Sequence, residues 1–393
     1  MLSWQLRSDG EIAIQTKLLA LALMALASPS EARMPNASGV AELAKAAMAE
    51  TGAKGLAIAV IDDGRATSAQ AFGDRNAKGD PLTTETVMYG ASLTKAVFAY
   101  TVMQLAEEGR IDLDASIATY LPKPLPEYGN LDEYGNWGDL KRDERWRRIT
   151  PRILLTHSAG FANFSFIEPD GRLKFHFDPG TRYAYSGEGL ILLQFVLEQG
   201  LGLKLGEEME KRVFDRFGMT NTSMMWRQDF ARNLADGWKA DDSVEPHDER
   251  SSARAAGSMD TSIADFAAFA AGFMRGEGLK RKSRAEMLRP QLPIRSRSQF
   301  PSLVPEAPPA EQWKNLAAGL GVVTFKGPQG PGFFKGGHND STANIWVCLE
   351  RKRRCVVILS NDVRAETAFP KLVDTILGET GLPWRWEYAS AAN

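Results

Sequence analysis

The chain has 393 residues, 44% of them hydrophobic and 24% charged, with a formal net charge of −2. That is a globular chain, long enough for one large domain or two interleaved ones. Its near-balance of 47 basic and 49 acidic residues gives no electrostatic footing for nucleic acid. The scattered histidines His157, His176, His247 and His338 form no H-E-x-x-H motif and no His/Cys cluster, which argues against a metal site.

Lys17 precedes an apolar run from Leu18 to Ala27, and small and polar residues follow from Ser28 to Ala32. A charged start, a short apolar core and a small-residue cleavage region describe a signal peptide over 1–32. The run is too short to span a membrane. No cysteine stands near the cleavage region to carry a lipid anchor. The acidic stretch before Lys17 is longer than such peptides usually carry, which leaves the translation start open. The expectation is export, to a periplasm or out of the cell.

Val40, Leu43, Ala44, Ala47 and Met48 recur at helical spacing, and Gly52 ends that helix. The run Leu56 to Ile61 reads as a buried strand. Asp62-Asp63-Gly64-Arg65 is a hairpin turn, and the residues to Phe72 are its partner strand. Next comes Tyr89-Gly90-Ala91-Ser92-Leu93-Thr94-Lys95, opening an apolar helix with Val97, Phe98, Thr101, Val102 and Leu105 on one side and Gly109 as its cap. Residues 120–150 are polar and aromatic and repeat Glu-Tyr-Gly-Asn; they read as a loop insertion over the surface.

A short helix ends at Ile153-Leu154-Leu155-Thr156-His157-Ser158-Ala159-Gly160. Helices follow over 188–199 and 206–217. Ser262 with Asp265 resembles a capping box and starts a helix through Phe266, Phe269 and Phe273. Residues 290–312, rich in Pro and Ser, read as a loop. Strands return at Gly321–Phe325, Gly332–Lys335, Asn344–Leu349 and Cys355–Ser360, before a final helix over 365–378. A hairpin turning at Arg351-Lys352 sets Cys348 directly opposite Cys355. There they would pair in an oxidising compartment or remain two buried thiols. The expected fold is α/β (α+β): an antiparallel sheet built from both chain ends, flanked by helices, with a mostly helical lobe inserted. One domain would cover 40–380, its sheet part 40–90 and 313–380 and its helical part 91–312, with 381–393 as a tail.

Ser92 and Lys95 lie three residues apart and share a helix face. A serine becomes a nucleophile beside an amine in a desolvated cleft, and a helix N-terminus offers N–H groups to a developing oxyanion. Two further stretches supply a second proton-handling group and a second cation. The turn Asp178-Pro179-Gly180-Thr181-Arg182 leads into Tyr183-Ala184-Tyr185-Ser186-Gly187, just before an apolar helix. Phe334-Lys335-Gly336-Gly337-His338 reads as a strand whose paired glycines admit a ligand against the backbone.

On these motifs the chain resembles the serine β-lactamase and penicillin-binding protein superfamily, in particular class C β-lactamases and family VIII carboxylesterases. Ser92-x-x-Lys95 matches the nucleophile motif, Tyr185-Ser186-Gly187 the Y-x-N motif and Lys335-Gly336-Gly337 the K-T-G motif. The stretches 154–160 and Ala255-Ala256-Gly257-Ser258-Met259 are similar to family landmarks, and the likeness spans about 40–380. Tyr128-Gly129-Asn130 and Tyr134-Gly135-Asn136 also satisfy Y-x-N, but Tyr185 has the family context. Two departures bear on substrate. Gly187 stands where the family usually has Asn, and Gly336 where Thr or Ser usually binds the lactam carboxylate.

The resemblance implies Ser92 as nucleophile, with Tyr185 and Lys95 sharing its proton. Lys95 and Lys335 would lower the phenol's pKa. The backbone N–H groups of Ser92 and His338 would form the oxyanion hole, with no metal or organic cofactor required. His157 reads as structural and Glu188 as a helix-start carboxylate. The partner expected is a small acyl substrate: an ester, with a β-lactam or D-amino peptide as the alternative. The other alternative is a non-catalytic binding module of the same fold. The absence of G-x-S-x-G disfavours a conventional α/β-hydrolase.

Overall fold

The structure is a computed structural model and describes residues 34–388; the signal-peptide segment expected over 1–32 lies outside the described residues. Asn36 caps the first helix, α1 (Ala37–Thr51), by accepting the Gly39 N–H at 3.0 Å. Gly52 ends it in the left-handed region at φ 73°. β1 (Gly55–Asp62) and β2 (Arg65–Gly73) form the expected hairpin around Asp63 and Gly64, both at positive φ as a two-residue turn requires.

The chain then enters the helical lobe. α2 (Leu93–Glu107) is packed by α6 (Arg281–Leu288), α3 (Pro151–Leu155) and α4 (Gly187–Phe195) pack on each other, and α5 (Ile263–Arg275) lies against the sheet. It returns as β3 (Leu292–Pro293), β4 (Leu316–Ala318), β5 (Val323–Gly327), β6 (Gly330–His338), β7 (Ala343–Leu349) and β8 (Arg354–Ser360). α7 (Phe369–Leu377) and α8 (Trp384–Glu387) follow. The strands make one antiparallel sheet of order β2-β1-β8-β7-β6-β5-β4-β3, so the N-terminal hairpin is closed by the C-terminal β8. The two chain ends do build the sheet, as expected.

Alternation along β1 gives the sheet two buried faces. Ala57, Ala59 and Ile61 belong to the core that holds α5, while α1 and α7 pack on the opposite face. Phe266, Phe269 and Phe273 of α5 close on Trp346 of β7 with ring centroids 5.6, 5.6 and 5.4 Å away. The Ser262 side chain accepts the Asp265 N–H at 3.2 Å, but the reciprocal half of the capping box is missing. The Asp265 carboxylate is taken by Asn221 N–H and the Thr222 hydroxyl instead, at 2.7 and 2.8 Å. Cys348 and Cys355 are register partners on β7 and β8 and are joined by a disulfide, Cα–Cα 4.1 Å.

Four expectations need correction. α2 is buried on all sides from Leu93 to Leu105, because sheet and lobe sandwich it. The 120–150 insertion is no surface loop. It is short helical turns and a two-residue ladder, pinned by buried Leu125, Trp137, Leu140 and Trp146. The region at 290–312 supplies the edge strand β3 and buries Ile294 and Gln299. The segment read as a tail from 381 carries buried Leu382, Trp386, Glu387 and Tyr388 against the sheet. The Trp386 indole N–H donates to Ser296 Oγ at 3.0 Å, which ties the last two segments together. Among the described residues no single helix is long and apolar enough to cross a membrane.

Candidate active site

The N-terminus of α2 is locked before it can do chemistry. Tyr89 and Gly90 run antiparallel to Met259 and Asp260, and Gly90 N–H donates to Met259 O at 2.9 Å. A Cβ at Gly90 would fall 2.8 Å from that oxygen, so the turn requires glycine there. The Thr94 hydroxyl donates to Ala91 O at 2.6 Å and accepts Met259 N–H at 3.1 Å. Ala91 is held at φ 46°, a left-handed conformation that an L-residue adopts only under such constraint. Ser92 is the N-cap, yet its hydroxyl makes no capping bond.

That hydroxyl lies between two groups instead. Ser92 Oγ is 2.9 Å from Lys95 Nζ and 2.8 Å from the donating Tyr185 Oη. Lys95 also donates to Ala256 O, so the second landmark stretch positions the amine. Lys95 is buried, and desolvation, with Lys335 nearby, holds its pKa well below the usual lysine range. Lys335 extends from β6, donates to Gly336 O at 2.7 Å and is pulled down to about 8, again by burial. Both side-chain nitrogens sit over the Tyr185 ring, 5.0 and 5.1 Å from its centroid. The two cations were expected to lower the phenol's pKa. Instead burial raises it, against the lowering effect of the hydrogen bond to Ser92.

β6 supplies the other wall. Asn339 N–H closes the β6–β7 turn on Thr342 O at 3.1 Å. Antiparallel alternation then turns the His338 N–H away from β7, toward the edge that β5 leaves open. A Cβ on Gly337 would fall 2.9 Å from Ser92 N and from Leu93 N and 3.0 Å from Gly90 O. The helix N-terminus and the strand therefore meet at glycine distance. The His338 ring itself turns to Glu366, with Nδ1 to Oε2 at 2.8 Å.

The remaining sequence-derived candidates also have places. His157 stacks on Tyr185 at 4.5 Å, its Nδ1 3.2 Å from Ser186 N, and burial keeps it neutral. It orients the tyrosine. Glu188 sits in the first turn of α4, buried, accepting Ser165 N–H at 3.0 Å. The rival tyrosines are elsewhere: Tyr128 and Tyr134 pack on Phe195 at 4.9 and 5.2 Å, and the Tyr134 hydroxyl donates to Glu198.

Sequence reasoning missed much of the lining, including five residues packed around the motif side chains. Asn163 accepts the Gly187 N–H at 2.9 Å, and Phe164 fills the space a side chain at 187 would need. Phe300 packs on Tyr185 at 5.1 Å and on His338 at 5.7 Å. Gln299 donates to the buried Glu387, whose carboxylate occupies the space beside Gly336. None of these follows a motif; each arrives through loop packing. Together they bound an open cleft of about 850 Å³ that contains Ser92, Lys95, Tyr185 and the strand 335–338.

The fold and this cleft define an α/β protein of the β-lactamase/transpeptidase type. The chain belongs to the β-lactamase family, whose family model (Beta-lactamase) matches residues 40–377. It is 29% identical over 183 residues to a lovastatin esterase of Penicillium rubens, covering 40% of this chain and 44% of that one. It is also 29% identical over 213 residues to a monacolin J acid methylbutanoyltransferase of Aspergillus terreus, covering 44% and 50%. The chain spans about half the length of the curated relatives it matches. Among solved structures, a D-alanine carboxypeptidase AmpC from Burkholderia cenocepacia aligns with TM-score 0.66 at 18% identity, covering 86% of this chain and 97% of that one. A class C β-lactamase aligns with TM-score 0.67 at 16% identity, covering 86% and 95%.

Proposed function

We propose that this protein is a serine hydrolase that forms an acyl-enzyme on Ser92 and acts on carboxylic esters or related small acyl compounds. The observation that carries the reading is the placement of Ser92 Oγ between Lys95 Nζ and Tyr185 Oη. Depression of the Lys95 pKa supports a neutral amine, and the raised Tyr185 supports a neutral phenol. Lys95 is then the base and Tyr185 the relay, which sequence alone left open. Ser92 Oγ attacks the carbonyl carbon and its proton passes to Lys95 Nζ. The oxyanion is received by the Ser92 and His338 N–H groups. When the ester C–O bond breaks, the leaving oxygen takes the Tyr185 proton, which Lys95 replaces. Water attacks the acyl-enzyme by the same route in reverse.

The names of the esterase and acyltransferase relatives support ester substrates. The loss of side chains at Gly187 and Gly336, with Phe164 and Glu387 in their space, weighs against lactam recognition. The cleft is large enough for an alcohol acceptor beside the acyl group, so transacylation is the second reading. The test pairs a short-chain p-nitrophenyl ester with a chromogenic cephalosporin, on the wild type and Ser92→Ala. Ser92-dependent ester turnover with little lactam turnover is expected. Strong lactam turnover would reverse the preference, and no Ser92 dependence would favour a binding module.

We also propose export. A disulfide that survives in the folded chain suits an oxidising compartment. Expression of the full chain in a Gram-negative host should give a periplasmic form whose N-terminus follows Ala32. An uncleaved cytoplasmic product would refute this.

A further inference from the structure

The cleft has one half in which Lys335, His338 and Lys239 each face a protein carboxylate. The leaving group must lie against Tyr185 Oη if that hydroxyl protonates it. From Tyr185 the wall continues through Phe300 to His338, and Lys335 lies over the same ring. His338 is held by Glu366 at 2.8 Å. Lys335 faces Glu387, and Lys239 at the rim lies 4.0 Å from Glu245. Lys95 is spent on Ser92 and Ala256.

Glu387 is the residue that closes this half. It is 6% exposed and comes from α8, near the end of the described chain. Gln299 Nε2 donates to its Oε2 at 2.8 Å, and Gln299 is itself fixed by the Tyr183 hydroxyl at 2.9 Å. Its Oε1 stands where a Cβ on Gly336 would have to go, beside the Tyr388 hydroxyl. Asp340 and Asp241 add two more carboxylates to the rim. Burial raises the Glu387 pKa and the neighbouring Lys335 and His338 pull it back down, so a ligand carboxylate entering here would meet an acidic group at short range. The cations it would find there already face acidic groups: His338 is bonded to Glu366, Lys335 lies in the field of Glu387, and Lys239 is within 4.0 Å of Glu245.

We propose that Glu387 makes the leaving-group half of the cleft reject a carboxylate, so that the substrates are esters of uncharged or cationic alcohols. This rests on the hydrolase reading above and names its substrate class. The same carboxylate explains why glycine stands at 336: any side chain there collides with it.

The test compares phenyl acetate with 3-carboxyphenyl acetate, each kcat/KM divided by the ester's rate with hydroxide to remove intrinsic reactivity. The full chain is used as wild type and as Glu387→Gln, which keeps the size of the side chain and removes its charge. The wild type should prefer phenyl acetate by at least about fiftyfold, and Glu387→Gln should cut that preference at least tenfold. A wild-type preference below threefold overturns the proposal whatever the variant does. So does an unchanged preference in a Glu387→Gln protein that melts cooperatively. Should that variant not fold, benzoate and benzamide serve as competitive inhibitors of the wild type: tighter benzamide supports the proposal and tighter benzoate overturns it. Ester turnover that survives Ser92→Ala would sink the hydrolase reading itself. Ser92-dependent turnover with no preference would sink only this inference.

Discussion

Replacing Gly337 by alanine adds one methyl group, and the structure says where it lands. Gly337 is not among the glycines at positive φ, so alanine meets no backbone strain there. Its Cβ would sit 2.9 Å from Ser92 N and Leu93 N and 3.0 Å from Gly90 O. All three are main-chain atoms of a turn tied to Met259 and Asn344, so none can step aside as a flexible side chain would. An ordinary contact needs roughly 0.5 Å more, and that must come from parting β6 and α2. The Ser92 and His338 N–H groups would then no longer converge on one oxygen. Loss of one oxyanion donor typically costs about 10²–10³ in kcat. Overpacking of this kind costs about 1–3 kcal/mol of stability. Steady-state kinetics on a p-nitrophenyl ester should show a kcat fall of that size with a smaller change in KM, and a thermal melt should show a modest loss. Gly206→Ala is the control, since its nearest neighbours are 3.8 and 3.9 Å away and no loss is expected. A Gly337→Ala enzyme within threefold of wild type would refute the assignment of the hole.

Further outcomes follow from the same geometry. Lys95→Arg should lose at least about 10³ in kcat, because a guanidinium cannot act as a base at working pH; retained activity would remove Lys95 from that role. Lys335, pulled down to about 8, should make kcat/KM fall as pH rises through about 8 and its charge is lost. For stability the sign is opposite: between about 8 and the unfolded value of 10.5 the unfolded chain holds the extra proton, so wild type should gain on Lys335→Met as pH rises, by up to about 3 kcal/mol. Chemical melts of both proteins from pH 7.5 to 10.5 would show it, and parallel curves would contradict it. Trp137→Ala should cost about 3–5 kcal/mol if the 120–150 insertion is pinned as described; a change below 0.5 kcal/mol, read from urea melts, would return it to the surface. Removing the disulfide with Cys348→Ala and Cys355→Ala should cost about 2 kcal/mol, because the closed loop is short. Ester turnover at 25 °C should survive, and its loss would mean that the bridge shapes the cleft.

What could be read from the chain was what local pattern encodes. The β1–β2 hairpin has alternation and Asp63-Gly64, and α2 has an apolar run ended by Gly109 at φ 69°. Ser92, Lys95, Tyr185 and Lys335 sit in motifs whose spacing is set by one helix turn or one strand. The insertion was misread because its polar letters outnumber its anchors, while Trp137 and Trp146 do the burying. Glu387, Gln299 and Phe164 are set by which loops touch, which no local period records. Which of Lys95 and Tyr185 would be the base could not be read from the chain, because their opposite pKa shifts come from burial, and burial belongs to the folded state.

The sheet order has a consequence in time. β1 is made early and must wait for β8, some three hundred residues later, before its inner edge is paired. Ser92 and Lys95 emerge soon after β1, but β6, the strand that would complete their oxyanion hole, follows only well over two hundred residues later. Glu387 comes later still. A nascent chain thus carries Ser92 before the cleft around it can form. Chains stopped short of β6 should be inert even where their lobe has folded.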